Sequence, residues 1–110
     1  MMKDIEVLQE AIKCNKSYTP KQRDILNLFL NIEVDGIVQI SPLEMTDLLN
    51  TSRATIYLGL SKLEKDGVVK NVTKKGKHFN TYKLNNTKLE DILIAYKKKQ
   101  SYLKKIKRIA

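Results

Sequence analysis

Residues 44–57 read Glu44-Met45-Thr46-Asp47-Leu48-Leu49-Asn50-Thr51-Ser52-Arg53-Ala54-Thr55-Ile56-Tyr57, and the break inside this stretch decides the fold. Just upstream, Ser41-Pro42-Leu43-Glu44 is a capping box with proline at the first helical position. It opens a helix that carries Leu43, Leu48 and Leu49 and ends near Asn50. Thr51-Ser52 interrupt the run, and Ser52 is placed to cap a longer helix from Arg53 to about Asp66. Gly67 stands where a left-handed residue ends a helix. On the second helix Ile56, Leu60 and Leu63 share one face, which should dock on the helices before it.

Downstream, residues 68–73 are β-prone, Lys74-Lys75-Gly76-Lys77 form a turn, and residues 78–84 are the return strand. Two β-rich runs around a short glycine-containing turn are a hairpin signal. Asn85-Asn86 read as loop, and Thr87-Lys88-Leu89-Glu90 as a third capping box opening a helix over 87–108. That helix spaces Leu89, Ile92, Tyr96, Leu103 and Ile106 by threes and fours, with Lys99 at the broken position of a heptad seam. Upstream, residues 3–14 put Ile5, Leu8, Ala11 and Ile12 on one side of a short amphipathic helix. Thr19-Pro20-Lys21-Gln22 cap the next helix, whose broad stripe of Ile25, Leu26, Phe29, Leu30 and Ile32 makes it central until Asp35-Gly36 stop it. Residues 37–40 are a further short β-prone run.

The 110 residues fit one domain: an N-terminal helix at 3–14, a core at 20–84 and a C-terminal helix at 87–108. No apolar run approaches the roughly 20 residues that span a bilayer, and the first residues lack the pattern of a secretion signal, so a cytoplasmic location is expected. One cysteine, Cys14, and one histidine, His78, support neither an internal disulfide nor an ordinary zinc site. No paired-carboxylate, nucleophile–base or phosphate-loop spacing is present, so neither an enzyme nor a cofactor is expected. Cys14 is expected to be an inert, partly buried thiol, His78 a polar strand residue, and Tyr57 and Tyr82 packing residues rather than stacking platforms.

The distribution of charge says more than its sum of +9. Residues 1–66 hold 8 Lys+Arg against 10 Asp+Glu, a net −2, whereas residues 67–110 hold 13 against 2, a net +11. Such asymmetry points to a polyanion, nucleic acid or an anionic membrane; the bland reading is a solvated lysine-rich tail. Ser52, Arg53 and Thr55 sit at a helix N-terminus, where unpaired N–H groups and the helix dipole attract phosphate. Arg53 is long enough to reach guanine or a phosphate. Lys74, Lys75 and Lys77 group positive charge at the hairpin tip, as phosphate contacts or merely as solubilising residues. The outer side of the same helix carries Ala54, Leu58 and Ser61, with Gly59 alongside. A surface this small and apolar suits packing against a second copy; the alternative is that Leu58 touches thymine methyls or is simply exposed.

The order of helix, short strand, helix, tight turn, helix, hairpin, helix resembles the winged helix-turn-helix arrangement, carried by residues 41–84. Residues 44–57 across the turn, and Leu60-Ser61-Lys62-Leu63-Glu64-Lys65-Asp66-Gly67-Val68-Val69 after it, look like many bacterial regulators. The resemblance implies a mainly α fold with a small antiparallel sheet, flanked by the terminal helices, and double-stranded DNA as partner.

A second resemblance covers Asp24-Ile25-Leu26-Asn27-Leu28-Phe29-Leu30-Asn31, residues 52–60 and Ile92-Leu93-Ile94-Ala95-Tyr96-Lys97-Lys98-Lys99-Gln100. These segments are similar to the TubR family, centromere-binding adaptors of plasmid and phage partition systems built on a tubulin-like GTPase. That likeness implies winged-helix homodimers whose recognition helices meet near the interface, loaded on repeated DNA sites and presented to a GTPase filament. It also implies repression of the family's own operon. The alternatives are a stand-alone repressor on a single palindromic operator, a replication initiator, and a winged helix that binds only proteins. A lysine-rich amphipathic tail on a membrane is not needed to account for the sequence.

Overall fold

The structure is a computed structural model that describes residues 5–76 and 78–109, with side chains as far as residue 106. Along the chain lie α1 (Ile5–Lys13), α2 (Pro20–Ile32), β1 (Ile37–Ile40), α3 (Pro42–Leu49), α4 (Arg53–Lys65), β2 (Val69–Asn71), β3 (Asn80–Leu84) and α5 (Asn86–Ile109). Two of the three expected capping boxes are built. The Thr19 hydroxyl accepts from the Gln22 N–H at 3.3 Å while Gln22 Oε1 accepts from the Thr19 N–H at 3.0 Å. Ser41 and Glu44 repeat the exchange at 3.1 and 3.2 Å. Each pair satisfies two orphan donors of a helix start.

The third start differs. Asn85, not Thr87, caps α5: its Oδ1 accepts from the Lys88 N–H at 3.2 Å, and the Leu89 N–H bonds the Asn85 carbonyl. Asn85 serves the first-turn donors and also donates its Nδ2 to the Gly67 carbonyl at 3.0 Å. Thr87 could not make that second bond from within the helix. The stop of α2 differs too. Glu33 caps it in extended backbone, its N–H on the Phe29 carbonyl. Asp35 and Gly36, both at positive φ, form instead the two-residue turn between the bridged Val34 and Ile37.

The three strands form one antiparallel sheet in the order β1-β3-β2, with Val38 opposite Tyr82 and Lys70 opposite Lys83. Both hairpin strands are shorter than expected. Asn71 Oδ1 accepts the Thr73 N–H at 2.9 Å, a side-chain turn that competes with the ladder and ends β2. His78 and Phe79 fall in a bend outside β3, and His78 is exposed.

Between sheet and helices lies one apolar core. Leu8 and Ile12 of α1, Ile25, Leu26 and Phe29 of α2, Ile56 and Leu63 of α4, and Val38 and Tyr82 of the sheet are all essentially inaccessible. Phe29 and Tyr82 stack obliquely with ring centroids 5.1 Å apart. Burying each such side chain contributes about 1.5–3 kcal/mol. In α3 the anchor is Met45; Leu43 and Leu48 remain exposed, because so short a helix presents only one narrow face to α4. Gly59 is buried against Ile25 on the core side of α4, not beside Leu58, since it lies only one turn from both Ile56 and Leu63. Cys14 is exposed rather than partly buried, because it follows the last residue of α1.

The first half of α5 packs on α1, with Leu89 and Leu93 buried and Ile92 and Tyr96 packed against the core. Leu93, outside the expected heptad seam, does the work that seam gave to Leu103 and Ile106. Every side chain from 101 to 106 is exposed. The 24 residues of α5 span about 36 Å, and the molecule is correspondingly long at 59 × 27 × 21 Å.

Candidate nucleic-acid interface

The turn between α3 and α4 is three residues long and held at both sides. Asn50 adopts the left-handed conformation (φ 49°) that closes α3, and its N–H reaches the Thr46 carbonyl. Asparagine tolerates this backbone better than most residues. Lys21 Nζ donates to the Leu49 carbonyl at 3.4 Å, tying the turn to the first residues of α2. Ser52 then caps α4: its hydroxyl accepts from the Thr55 N–H at 3.2 Å and lies 2.9 Å from the Thr55 hydroxyl.

Ser52, Arg53 and Thr55 therefore share one helix terminus, with Ser52 and Arg53 exposed and Thr55 half-buried. The Arg53 guanidinium makes no hydrogen bond or ion pair among the described residues. Its charge is added to the positive end of the α4 dipole, and together they form an anion-attracting terminus of small side chains.

The hairpin following α4 is stapled at its base. Thr81 donates its N–H to the Thr73 hydroxyl at 3.0 Å, the Val72 N–H bonds the Thr81 carbonyl at 2.8 Å, and the Thr73 hydroxyl donates to Asn71 Oδ1. Beyond this staple Lys74 and Lys75 stand exposed, and Gly76 turns the chain at φ 83°. Lys77, the third lysine of the expected group, lies outside the described residues. Ala54, Leu58 and Ser61 are exposed on the outer side of α4, Leu58 at 74%. Tyr57 is half exposed and Tyr82 buried, so only Tyr82 is a packing residue as expected of both.

Two phenols, Tyr82 and Tyr18, are buried in the core. Burial raises the Tyr82 pKa, partly offset by the Asn80 amide donating to its hydroxyl at 3.0 Å, with the Glu64 carboxylate raising it further. Burial and the nearby Asp66 carboxylate raise that of Tyr18.

Two basic residues escaped notice in the sequence. Lys70 and Lys83 are direct partners across β2 and β3, exposed on the same face of the sheet. For Lys83 the outward face was readable from strand alternation, since it stands between Tyr82 and Leu84, both buried; Lys70 has Val69 on one side but the exposed Asn71 on the other, so alternation did not mark it. Among the described residues no group of three His, Cys, Asp or Glu side chains could hold a metal ion. No described helix is long and apolar enough to cross a membrane.

No sequence family and no curated protein matches this chain. Solved structures do. The ST1889 protein of the archaeon Sulfolobus tokodaii is similar at TM-score 0.62 and 20% identity, over 91% of this chain and 97% of that one. A protein of Methanosarcina mazei described as a possible transcriptional regulator follows at 0.53 and 16%, over 97% and 85% of the two chains. The transcriptional regulator BldR of Sulfolobus solfataricus matches at 0.56 and 13%, over 91% of this chain and 68% of that one. At such identities the likeness is one of fold. With α3, the tight turn and α4 followed by the β2–β3 hairpin, the chain has the winged helix-turn-helix fold, mainly α with a small antiparallel sheet.

Proposed function

We propose that this protein binds double-stranded DNA sequence-specifically as a homodimer and regulates transcription, acting in the cytoplasm without catalysis. The observation that carries the reading is the α4 terminus: a capped helix start presenting an unpaired, exposed Arg53 beside Ser52 and Thr55. A helix N-terminus supplies oriented N–H groups to a phosphate, and a long cation beside it reaches a base edge or a neighbouring phosphate. Lys74 and Lys75 at the tip of the wing, with Lys77 beside them in sequence, supply a second group of phosphate contacts. Sequence selection falls to the α4 terminus, and the wing adds affinity that depends on salt.

Ala54, Leu58 and Ser61 form the proposed dimer contact. A leucine that is 74% exposed in the middle of a helix is poorly used against a polar groove and well used against another helix. The same exposed leucine favours a second reading, the partition adaptor that the TubR resemblance implies, in which recognition helices meet and a tubulin-like GTPase filament is the further partner. A repressor predicts one palindromic site upstream of its gene. An adaptor predicts tandem repeats and co-pelleting with GTPase filaments. Fluorescence anisotropy on labelled duplex tests the shared core of both. Reversing charge at Arg53 and Lys75 together should abolish specific retention at moderate salt, and unchanged retention would refute DNA binding by this surface.

A further inference from the structure

At the base of the wing, the ends of α4 and α5 and strands β2 and β3 border an open cavity of about 660 Å³. Glu64, Lys70, Asn71, Lys83, Asn85 and Asn86 line it. It lies at the opposite end of α4 from the residues proposed to meet DNA. We infer that this cavity is a binding site for a small phosphomonoester with a hydroxylated body, the phosphate seated between Lys70 and Lys83.

The lysines are the starting point. They are direct partners in the antiparallel register, on the exposed face of the sheet. Like charges placed opposite one another weaken a strand pair, so the arrangement is a cost unless an anion lies between them. No carboxylate of the described residues does so: the one ion pair there is Lys62 with Asp66, and Glu64 lines the cavity without pairing with either lysine. Two ammonium groups match the two charges of a phosphomonoester, whereas a monocarboxylate would leave one unmatched.

The remaining lining is arranged for hydroxyl groups. Asn71 uses its Oδ1 on Thr73, which leaves its amide N–H groups to donate. The Asn86 side chain has no hydrogen-bond partner among the described residues, and the Glu64 carboxylate accepts from hydroxyls. The volume falls in the range of small-molecule sites. The sugar of a sugar phosphate and the ribose of a nucleotide share this chemistry.

The site does not depend on the proposed DNA reading, and its test is separate. Amide shifts of the full chain are followed by NMR during titration with ribose 5-phosphate, AMP, ribose or sulfate at constant ionic strength. Saturable shifts confined to β2, β3 and the start of α5 are expected with ribose 5-phosphate and none with ribose. AMP binding more tightly than ribose 5-phosphate identifies a nucleotide; the reverse identifies a sugar phosphate. Lys70→Gln with Lys83→Gln should weaken binding by about 100-fold, two charge-assisted contacts at roughly tenfold each. Lys83→Thr alone should raise the ligand-free Tm by roughly 1–4 °C, by relieving the repulsion, and reduce the rise that ribose 5-phosphate produces. Three results would overturn the proposal. Sulfate could bind as tightly as ribose 5-phosphate, or the shifts could spread equally to Lys74, Lys75 and residues 97–99. The double variant could also lose affinity for duplex DNA as a Lys75→Gln variant does, which would make the lysine pair a duplex contact.

Discussion

Gly59 faces Ile25 so closely that a Cβ added at Gly59 would stand 2.6 Å from the Ile25 Cδ1. Ile25 is fully buried, so its side chain cannot swing away without disturbing the core. The missing side chain is what lets α4 lie against α2. Gly59→Ala should gain about 1 kcal/mol of helix propensity and lose about 1–3 kcal/mol to overpacking, a net loss of about 1 kcal/mol. Ile25→Val removes the atom that collides. The double variant should therefore be no less stable than Ile25→Val alone, a coupling that chemical denaturation of the four proteins measures.

Ser52 has two separable roles, as helix cap and as proposed phosphate neighbour. Ser52→Ala should cost about 1 kcal/mol of stability, because the Thr55 N–H loses its acceptor. Ser52→Asp caps as well as serine but sets a negative charge where phosphate would lie. It should leave Tm within about 2 °C of the parent and reduce duplex affinity by at least tenfold, as anisotropy and thermal melts together would show. Parent-like affinity in Ser52→Asp would remove phosphate from the α4 terminus.

Counter-ion release gives a third expectation. Affinity for duplex should fall with salt at a log–log slope near −0.9 for each phosphate neutralised, and Lys75→Gln should flatten that slope by about 0.9. Lys75→Gln should weaken specific and random duplexes alike, whereas Arg53→Gln should also narrow the gap between them.

The dimer contact is tested by light scattering. Leu58→Glu should leave the fold intact, since the side chain is exposed, and should give monomers at concentrations where the parent is dimeric. Leu103→Glu with Ile106→Glu is the companion experiment, because those residues form a second exposed apolar stripe, on the uncovered end of α5. Dissociation by the second variant alone would move the contact from α4 to α5.

Tyr82 and Tyr18 govern alkaline stability. Both phenols have folded-state pKa values raised above the ordinary 10.0, with burial the main cause. The unfolded chain then releases its protons first. The stabilisation is complete below pH 10 and is lost as pH rises through the folded-state values. Denaturant midpoints should thus fall above about pH 10, and Tyr82→Phe should fall less steeply while keeping the ring contact with Phe29.

Helix starts and the core stripes of α2 and α4 were legible because they depend on neighbours three or four residues away. Thr19 with Gln22, Ser41 with Glu44, and Ile56 with Leu60 and Leu63 are of this kind. What failed depended on distant partners. Asn85 displaces Thr87 as a cap because it also bonds Gly67, 18 positions away. Leu93 replaces the outer heptad leucine because α1 covers only the first half of α5. The core-side position of Gly59 is the exception, because helical periodicity alone sets it beside Leu63 and Ile56. Of the candidate site, the α4 terminus was readable as a cap with a neighbouring cation. The Lys70–Lys83 pairing was not, because strand register is written in no single stretch of sequence.

Since α5 is packed on α1 through its first half and uncovered beyond residue 100, its last turns are an overhang rather than part of the core. Nine residues of helix extend roughly 14 Å past the packed half. That overhang can be bent or cut back without disturbing Leu89 and Leu93, so it is the part of the molecule that a neighbouring molecule could grasp at no expense to the fold.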